Sequence, residues 1–250
     1  MQNLIVIIMA GGLGKRMNST LPKVLHSISN EPMLVRVIKQ ALVLNPKKIL
    51  IVVGKYKNII ESTIKEFVDL NNISFVNQPE ALGTGHAIQC CIPELLNYDN
   101  SNVLILSGDV PLLKSSTMLN LVSNFNKVKL MTSIFDNPYG CGRILETNNL
   151  FDRIIEEKDC TLEEKKINKI NCGIYAFNSN ILCKYLPLLN NNNSQGEYYL
   201  TDIVEIIKKN ENINIDMYEI SKEKQIEIIG VNTAEQLVEL EILAKNSSPP

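Results

Sequence analysis

The sequence is punctuated by short runs in which apolar residues follow one another rather than alternating with polar ones: LIVIIM at 4–9, KILIVV at 48–53, ISFV at 73–76, NVLILS at 102–107 and KLMTSIF at 129–135. A strand with one wet face alternates apolar and polar residues. A run of consecutive apolar residues needs cover on both faces, as in a parallel sheet flanked by helices. Helical patterns separate these runs at 33–44, 58–70, 83–96 and 115–125, and Pro32 stands where a first helical turn tolerates proline. Such alternation predicts βαβ units with right-handed crossovers and an α/β fold.

The rhythm changes after residue 140. RILE (143–146) and LFDRIIE (150–156) read as a hairpin turned by TNN. A charged segment (157–168), a strand at 169–178, a helix at 179–189 and a polar loop NNNNS at 190–194 follow. Further on, 198–209 reads as helix, 213–220 and 226–229 as strands, and 233–245 as a closing helix. A chain of 250 residues with 45% hydrophobic content allows one large α/β domain or two small ones. The expectation is a single domain over 1–250, with a main α/β part at 1–135, a smaller β extension at 136–232 and a closing helix at 233–245.

The formal net charge is −2, so the basic excess of a nucleic-acid binder is missing. The longest apolar run at the start is too short to span a membrane. The six cysteines form no C-x-x-C pair, and with two histidines they make no zinc cluster. The apolar settings of Cys90, Cys91, Cys172 and Cys183 predict buried free thiols and a reducing, cytoplasmic compartment.

Against this background, the stretch AGGLGKRMNSTLPKVLH after the first strand concentrates Gly11, Gly12 and Gly14 with Lys15, Arg16 and Lys23. Glycines let backbone N–H groups approach an anion, and the cations neutralise it. A tight turn carrying solvated charges fits the same residues. The stretch is not a Walker A loop, because Met9 and Arg16 stand where glycine and Ser or Thr belong. Nor is it a dinucleotide fingerprint, because Met17 takes the third small position.

Ligands of open parallel sheets lie beyond the carboxyl ends of the strands. Two further elements end there: QPEALGTGHA, with Gln78, Gly83 and Thr84, and SGDVP, with Asp109. Taken singly, Thr84 could cap a helix, Asp109 could serve a turn, and His86 could simply pack. Together they place a backbone cradle, cations and a carboxylate at one edge of one sheet, as a Mg²⁺–nucleotide site requires. No Ser-His-Asp or Cys-His arrangement is visible. Transfer to an already ionised phosphate needs none, since positioning and charge neutralisation suffice.

Eight blocks in order carry a resemblance: GGLGKRMNSTLPKVLH, LGTGHAIQ, GDVPLL, GCGRI, IIEEKD, INCGIYAF, NNNSQGEYYLTDIV and GVNTAEQL. Over nearly its whole length the chain resembles the N-acetylglucosamine-1-phosphate uridylyltransferase family, found as the first domain of the bifunctional bacterial enzyme. The resemblance implies a Rossmann-like nucleotidyltransferase fold, with a mixed, mostly parallel sheet flanked by helices. It implies UTP and N-acetylglucosamine-1-phosphate as substrates and Mg²⁺ as cofactor. Ala10, Gly11 and Gly12 would hold the uridine, while Gln78 and Gly83 would read the uracil edge with Thr84 alongside. Arg16 and Lys23 would neutralise the triphosphate, and Asp109 and Asn232 would hold the metal. Gly142, Glu156, Asn171, Glu197, Tyr198 and Tyr199 would form the sugar side. By residues alone, Asn232 could instead cap the last helix, Tyr198 and Tyr199 could pack a helix start, and Glu156 could be a solvated hairpin charge.

The chain departs from the family where Lys15 replaces a common Thr, Ser107 a common Tyr and Cys141 a common aromatic. It shows none of the hexapeptide repeats of the bifunctional enzyme, which leads to the expectation of a protein without acetyltransferase activity. Alternatives are a glucose-1-phosphate uridylyl- or thymidylyltransferase and a silent nucleotidyltransferase-like regulator. Arg16, Lys23, Asp109 and Asn232 speak against the silent regulator.

Overall fold

The computed structural model describes residues 3–12 and 14–247. Its eleven strands are β1 (Leu4–Met9), β2 (Ser27–Ile28), β3 (Glu31–Pro32), β4 (Lys48–Val53), β5 (Ile73–Asn77), β6 (Asn102–Ser107), β7 (Val128–Ile134), β8 (Arg143–Thr147), β9 (Leu150–Ile155), β10 (Lys169–Asn178) and β11 (Asp216–Glu219). The eight helices are α1 (Met33–Leu42), α2 (Lys57–Lys65), α3 (Thr84–Gln89), α4 (Ile92–Leu95), α5 (Ser115–Val122), α6 (Ser179–Tyr185), α7 (Asp202–Glu211) and α8 (Ala234–Ser247).

The main sheet runs β11-β7-β10-β6-β1-β4-β5, with the β8–β9 hairpin attached to β10, and β2–β3 form a separate ribbon. β5, β4, β1 and β6 are parallel, whereas β10 lies antiparallel to both β6 and β7. The mixed, mostly parallel sheet of an α/β fold is therefore present. Leu4 to Ile8 are wholly buried because helices cover both faces. Leu4, Val6 and Ile8 face the side of α1, α2 and α5, and Ile5 and Ile7 face that of α3, α6 and α7. A third apolar cluster joins Met17, Ile28, Met33, Val231 and Leu240, so α8 packs over the exit of the glycine loop.

β1 pairs with β4 on one side and β6 on the other, so the chain reverses its winding direction beside β1. A crevice opens at the carboxyl ends of the strands where that reversal occurs. The β8–β9 hairpin turns on Asn148 and Asn149 with φ 55° and 61°, the backbone of a type I′ turn. β10 carries an irregularity between Asn171 and Tyr175, where Gly173 takes φ 70°.

Several expected elements differ. The helix over 83–96 is two short helices, because Pro93 cannot donate the N–H that would continue the first. The helix expected from 198 starts at Asp202, since 198–201 is tied to the α3 loop instead. The strand expected at 213–220 is confined to Asp216–Glu219, where β7 offers an edge. IEII at 226–229 is no strand: Lys222–Ile228 is a 3-10 segment that buries Glu227 and Ile228. Short apolar runs fit either geometry, and here the segment packs Glu227 and Ile228 inward without joining the sheet. Of the four thiols expected to be buried, only Cys91 is fully so; Cys90, Cys172 and Cys183 are half-buried.

Candidate active site

The glycine loop leaves β1 at the centre of the sheet, with Ala10 N–H donating to the Val52 carbonyl at 2.8 Å. A Cβ on Gly11 would lie 2.9 Å from Gln78 Oε1, so Gly11 lets the loop and Gln78 sit together. Around Gly12 there is open space, which leaves its backbone free to face a ligand. Gly14 takes φ 59°, and a Cβ there would lie 2.7 Å from Lys23 Cβ, so glycine permits the loop to fold down on Lys23. The side chain of Lys15 lies outside the described residues.

Five charged and polar side chains meet beside this loop. The Lys23 ammonium is paired with Asp109 Oδ2 and donates to Asn232 Oδ1 at 3.0 Å. Arg16 Nη2 donates to the same Asn232 oxygen at 3.1 Å. The second oxygen of Asp109 accepts a hydrogen bond from Ser107 Oγ at 2.7 Å. Main-chain pairing locks the frame: Gly108 N–H donates to Met9 O at 2.9 Å and Val231 N–H to Asp109 O at 2.9 Å. Asn232 is not the helix cap. Thr233 Oγ1 accepts from Gln236 N–H at 3.2 Å, and Gln236 Oε1 accepts from Asn232 N–H at 2.8 Å, which leaves the Asn232 amide oxygen to Arg16 and Lys23.

On the other side of the loop, the buried Gln78 donates through Nε2 to Gly83 O at 3.1 Å. His86 Nδ1 lies 3.0 Å from Glu80 O and 3.3 Å from Gln78 Nε2, so His86 packs and bonds as a helix residue. The Gly83–Gly85 turn is fastened to 197–200. Gly85 N–H donates to Tyr198 O at 2.7 Å, Tyr198 N–H to Leu82 O at 2.8 Å and Leu200 N–H to Thr84 Oγ1 at 3.1 Å. Gly83 has φ 114°, and a Cβ would lie 2.6 Å from Tyr198 O. Tyr198 thus meets the turn through its backbone, while Tyr199 is buried with its hydroxyl accepting from Gln195 at 2.8 Å.

The β8–β10 side presents carboxylates. Glu156 Oε1 accepts from the buried Thr201 hydroxyl at 3.0 Å, and a Cβ on Gly142 would lie 3.5 Å from Glu156 Oε2. Burial pushes the Glu156 carboxyl above its ordinary value. Burial, with Glu156 as the largest neighbouring charge, pushes Asp202 up to about 6. Asn171 donates to Tyr175 Oη at 2.6 Å, and its N–H donates to Gly142 O at 2.9 Å.

Sequence reasoning did not single out Arg143 or Thr201. Arg143 is buried, donates to Glu157 Oε2 at 2.6 Å and to Cys141 O, and pins the turn before Gly142. An arginine inside the apolar strand start GCGRI was the available signal, since a buried arginine must be paired.

Ala10, Gly11, Gly12, Lys23, Gln78, Gly83, Thr84, Asp109 and Glu197 line one cleft of about 250 Å³, together with Ser107. Asn232 and Arg16 join through hydrogen bonds to its rim, while Gly142, Glu156 and Asn171 form a second cluster outside the lining. A larger hollow of about 560 Å³, walled by α1, α8 and 111–114, contains none of these residues, and its Arg36 and Lys39 are already paired with Glu31. Burial raises all six thiols above their ordinary value, so none is poised as a thiolate nucleophile.

Asp109 and Asn232 fit a hard cation. One carboxylate and one amide oxygen already share a single cation, the Lys23 ammonium, so both can reach a common point. A pair so sparse suits Mg²⁺, which completes its shell with water and phosphate.

The glycine loop, the two cations and the Asp109–Asn232 pair thus gather at the carboxyl ends of the parallel strands of a mixed sheet. The chain belongs to the MobA-like NTP transferase domain family, whose profile matches residues 6–144. It is 49% identical over 247 residues to a protein of Acanthamoeba polyphaga mimivirus named "Probable UDP-N-acetylglucosamine pyrophosphorylase", covering 97% of this chain and 96% of that one. It is 41% identical over 247 residues to the Bifunctional protein GlmU of Clostridium botulinum, covering 96% of this chain and 51% of the relative, so it spans about half the length of that protein. The structure of a UDP-glucose pyrophosphorylase complexed with UDP-glucose superposes with a TM-score of 0.76 at 17% identity, covering 99% of this chain and 100% of that chain, a likeness of fold. Among the described residues no helix is long and apolar enough to cross a membrane.

Proposed function

We propose that the protein transfers a uridylyl group from UTP to N-acetylglucosamine-1-phosphate, giving UDP-N-acetylglucosamine and pyrophosphate. The observation that carries the chemistry is the convergence of Lys23, Arg16, Asp109 and Asn232 beside the open backbone of Gly12. The choice of sugar rests on the full-length likeness to the mimivirus protein.

In this reading a phosphate oxygen of the sugar phosphate attacks the α-phosphorus of UTP. A new P–O bond forms, the bond from the α-phosphorus to the bridging oxygen breaks, and pyrophosphate leaves with the electron pair. The attacking oxygen is already ionised, so no general base is required. Ala10 to Gly12 cradle the nucleotide, and Gln78 with the Gly83 carbonyl offers a donor and acceptor edge to the uracil. Lys23 and Arg16 neutralise charge that accumulates on the leaving pyrophosphate, where a fixed cation acts most strongly. Glu156, oriented by Thr201, and Asn171 hold sugar hydroxyl or amide groups, with Glu197 and Tyr198 closing the turn between the two halves. Mg²⁺, held by Asp109 and Asn232, would supply charge neutralisation at the phosphates and help to align them. The unpaired thiols suit a reducing, cytoplasmic setting.

The test is pyrophosphate release measured against a panel of nucleoside triphosphates and sugar-1-phosphates. Greatest kcat/KM for UTP with N-acetylglucosamine-1-phosphate is expected. Preference for glucose-1-phosphate would move the assignment to the glucose enzymes, and no release with any pair would favour the silent regulator.

A further inference from the structure

Lys23 touches both of the oxygens assigned to the metal. Its ammonium pairs with Asp109 Oδ2 and donates to Asn232 Oδ1 at 3.0 Å, so it stands between the two groups that would hold the cation. We infer that Lys23 is a resident stand-in for the metal: it fills the cation position while the nucleotide is absent and yields it only when a triphosphate gives the ammonium another partner. The inference rests on the metal reading above and adds an order to it, in which divalent metal is excluded from the free protein and enters with the nucleotide.

Charge and geometry support this order. In the free protein Asp109 carries one negative charge, which Lys23 already neutralises, and Arg16 adds a further positive charge 3.1 Å from Asn232 Oδ1. A divalent ion approaching that cluster meets two fixed cations and finds its carboxylate oxygen taken, and like charges at contact distance repel strongly in a partly buried site. The Lys23 side chain is 13% exposed and that of Asp109 16%, so screening by water is weak. A nucleotide triphosphate reverses the balance, because its oxygens accept from lysine and arginine and also complete the shell of a sparsely held ion.

The remaining Asp109 oxygen is held by Ser107 Oγ at 2.7 Å. When Lys23 turns away, that bond keeps the carboxylate aimed. A lysine that a triphosphate can draw away, beside a carboxylate anchored by Ser107, is the arrangement that such an exchange requires. Lys23 also follows the left-handed Gly14 closely enough that a Cβ at Gly14 would clash with it, so the glycine loop that receives the phosphates and the exchanging lysine are in direct contact.

The experiment is direct metal binding, read by the electron spin resonance signal of free Mn²⁺, with and without a non-hydrolysable UTP analogue, each titration set against a protein-free sample because the analogue binds Mn²⁺ by itself. The full chain is compared with Lys23→Met, which keeps the apolar stem and removes the charge. Lys23→Gln serves as a second variant whose amide can still donate to Asp109. Without nucleotide, both variants are expected to bind Mn²⁺ at least about tenfold more tightly than the unaltered protein. Adding Asp109→Asn to either should abolish the gain. Melting curves give an independent readout: Mn²⁺ alone should stabilise the Lys23 variants and leave the unaltered protein unchanged.

The inference is overturned if both variants bind nucleotide-free Mn²⁺ no more tightly than the unaltered protein while that protein binds Mn²⁺ with the analogue; the metal reading would then survive. If no protein binds Mn²⁺ under either condition, the metal reading fails, and the inference with it.

Discussion

On the proposed nucleotide side, the groups offered to a ligand are backbone and cations: Gly12 with its open surroundings, the Gly83 turn, Arg16 and Lys23. On the proposed sugar side they are side chains from the exit of β9, from β10 and from the segment before α7, with Glu156 held by Thr201 and Asn171 bonded to Tyr175. In the proposed reading the first side handles a highly charged group common to all nucleotides, for which oriented N–H groups and fixed cations suffice. In the same reading the second side distinguishes one sugar from another, through hydrogen-bonding groups that would be left unpaired by the wrong ligand. The contrast also shows in protonation: burial lifts the carboxyls of Glu156 and Asp202 on the sugar side.

The largest expected effect lies where charge develops. Asp109→Ala should lower kcat by a hundredfold or more, on the order seen when a group stabilising transition-state charge is removed. Arg16→Ala should follow in the same direction, with kcat falling more than the KM for UTP rises. Steady-state kinetics for both substrates decide this, and an effect on the KM for UTP alone would make these plain binding residues.

Glu156→Gln tests the sugar side alone. It should raise the KM for the sugar phosphate with a loss of about 1–3 kcal/mol in transition-state binding and leave the KM for UTP in place. If the UTP constant moved instead, the division of labour between the two sides would collapse.

Gly83→Ala attacks the seam between them. A Cβ would lie 2.6 Å from Tyr198 O and 2.9 Å from Tyr198 N, at φ 114°. The expected cost is on the order of 1–3 kcal/mol in stability, with both Michaelis constants rising together. Denaturant unfolding and kinetics on one preparation check it.

Asn232→Ala and Thr233→Ala separate chemistry from capping. Thr233 makes the capping bond, so Thr233→Ala should cost about 1 kcal/mol of stability and leave the Mg²⁺ requirement unchanged. Asn232→Ala should do the opposite: near-normal melting, lower turnover and a higher Mg²⁺ requirement. Smallest of all is Asp202→Asn. A carboxyl raised to about 6 in the folded chain binds its proton more tightly there than in the unfolded chain, so it favours folding below the ordinary carboxylate value and loses that contribution as pH rises through about 6. The variant should therefore melt a few degrees higher than the parent near pH 7, with the gap closing toward pH 4.

Much of the glycine-loop region was legible because it is local. Its glycines and cations lie within one stretch after β1, and an uninterrupted apolar run states its own need for cover on both faces. The strand at 169–178 and the hairpin around TNN were legible for the same reason, with β10 spanning Lys169–Asn178 and Asn148 and Asn149 supplying the positive φ of the turn. IEII misled, because a short apolar run satisfies a strand or a 3-10 segment equally and only the tertiary packing chooses between them. The helix expected from 198 misled because its first residues were needed elsewhere, as backbone partners of Leu82 and Gly85.

By itself the sequence determined the layered α/β architecture, the glycine cradle and the chemical inventory of the cleft, since these follow from hydrophobic periodicity and residue type over short spans. Only the tertiary structure decided which groups meet. NTAEQ offers two capping residues in a row, and nothing local says which one caps. The packing of Met17, Val231 and Leu240 sets α8 against the glycine-loop exit, Gln236 turns back to Asn232 N–H, and the Asn232 oxygen is delivered to Lys23 across 209 positions. The reason is physical: a hydrogen bond between residues so distant carries no periodicity that a sequence can display, and it exists only because a buried apolar contact beside it fixes the two segments in place.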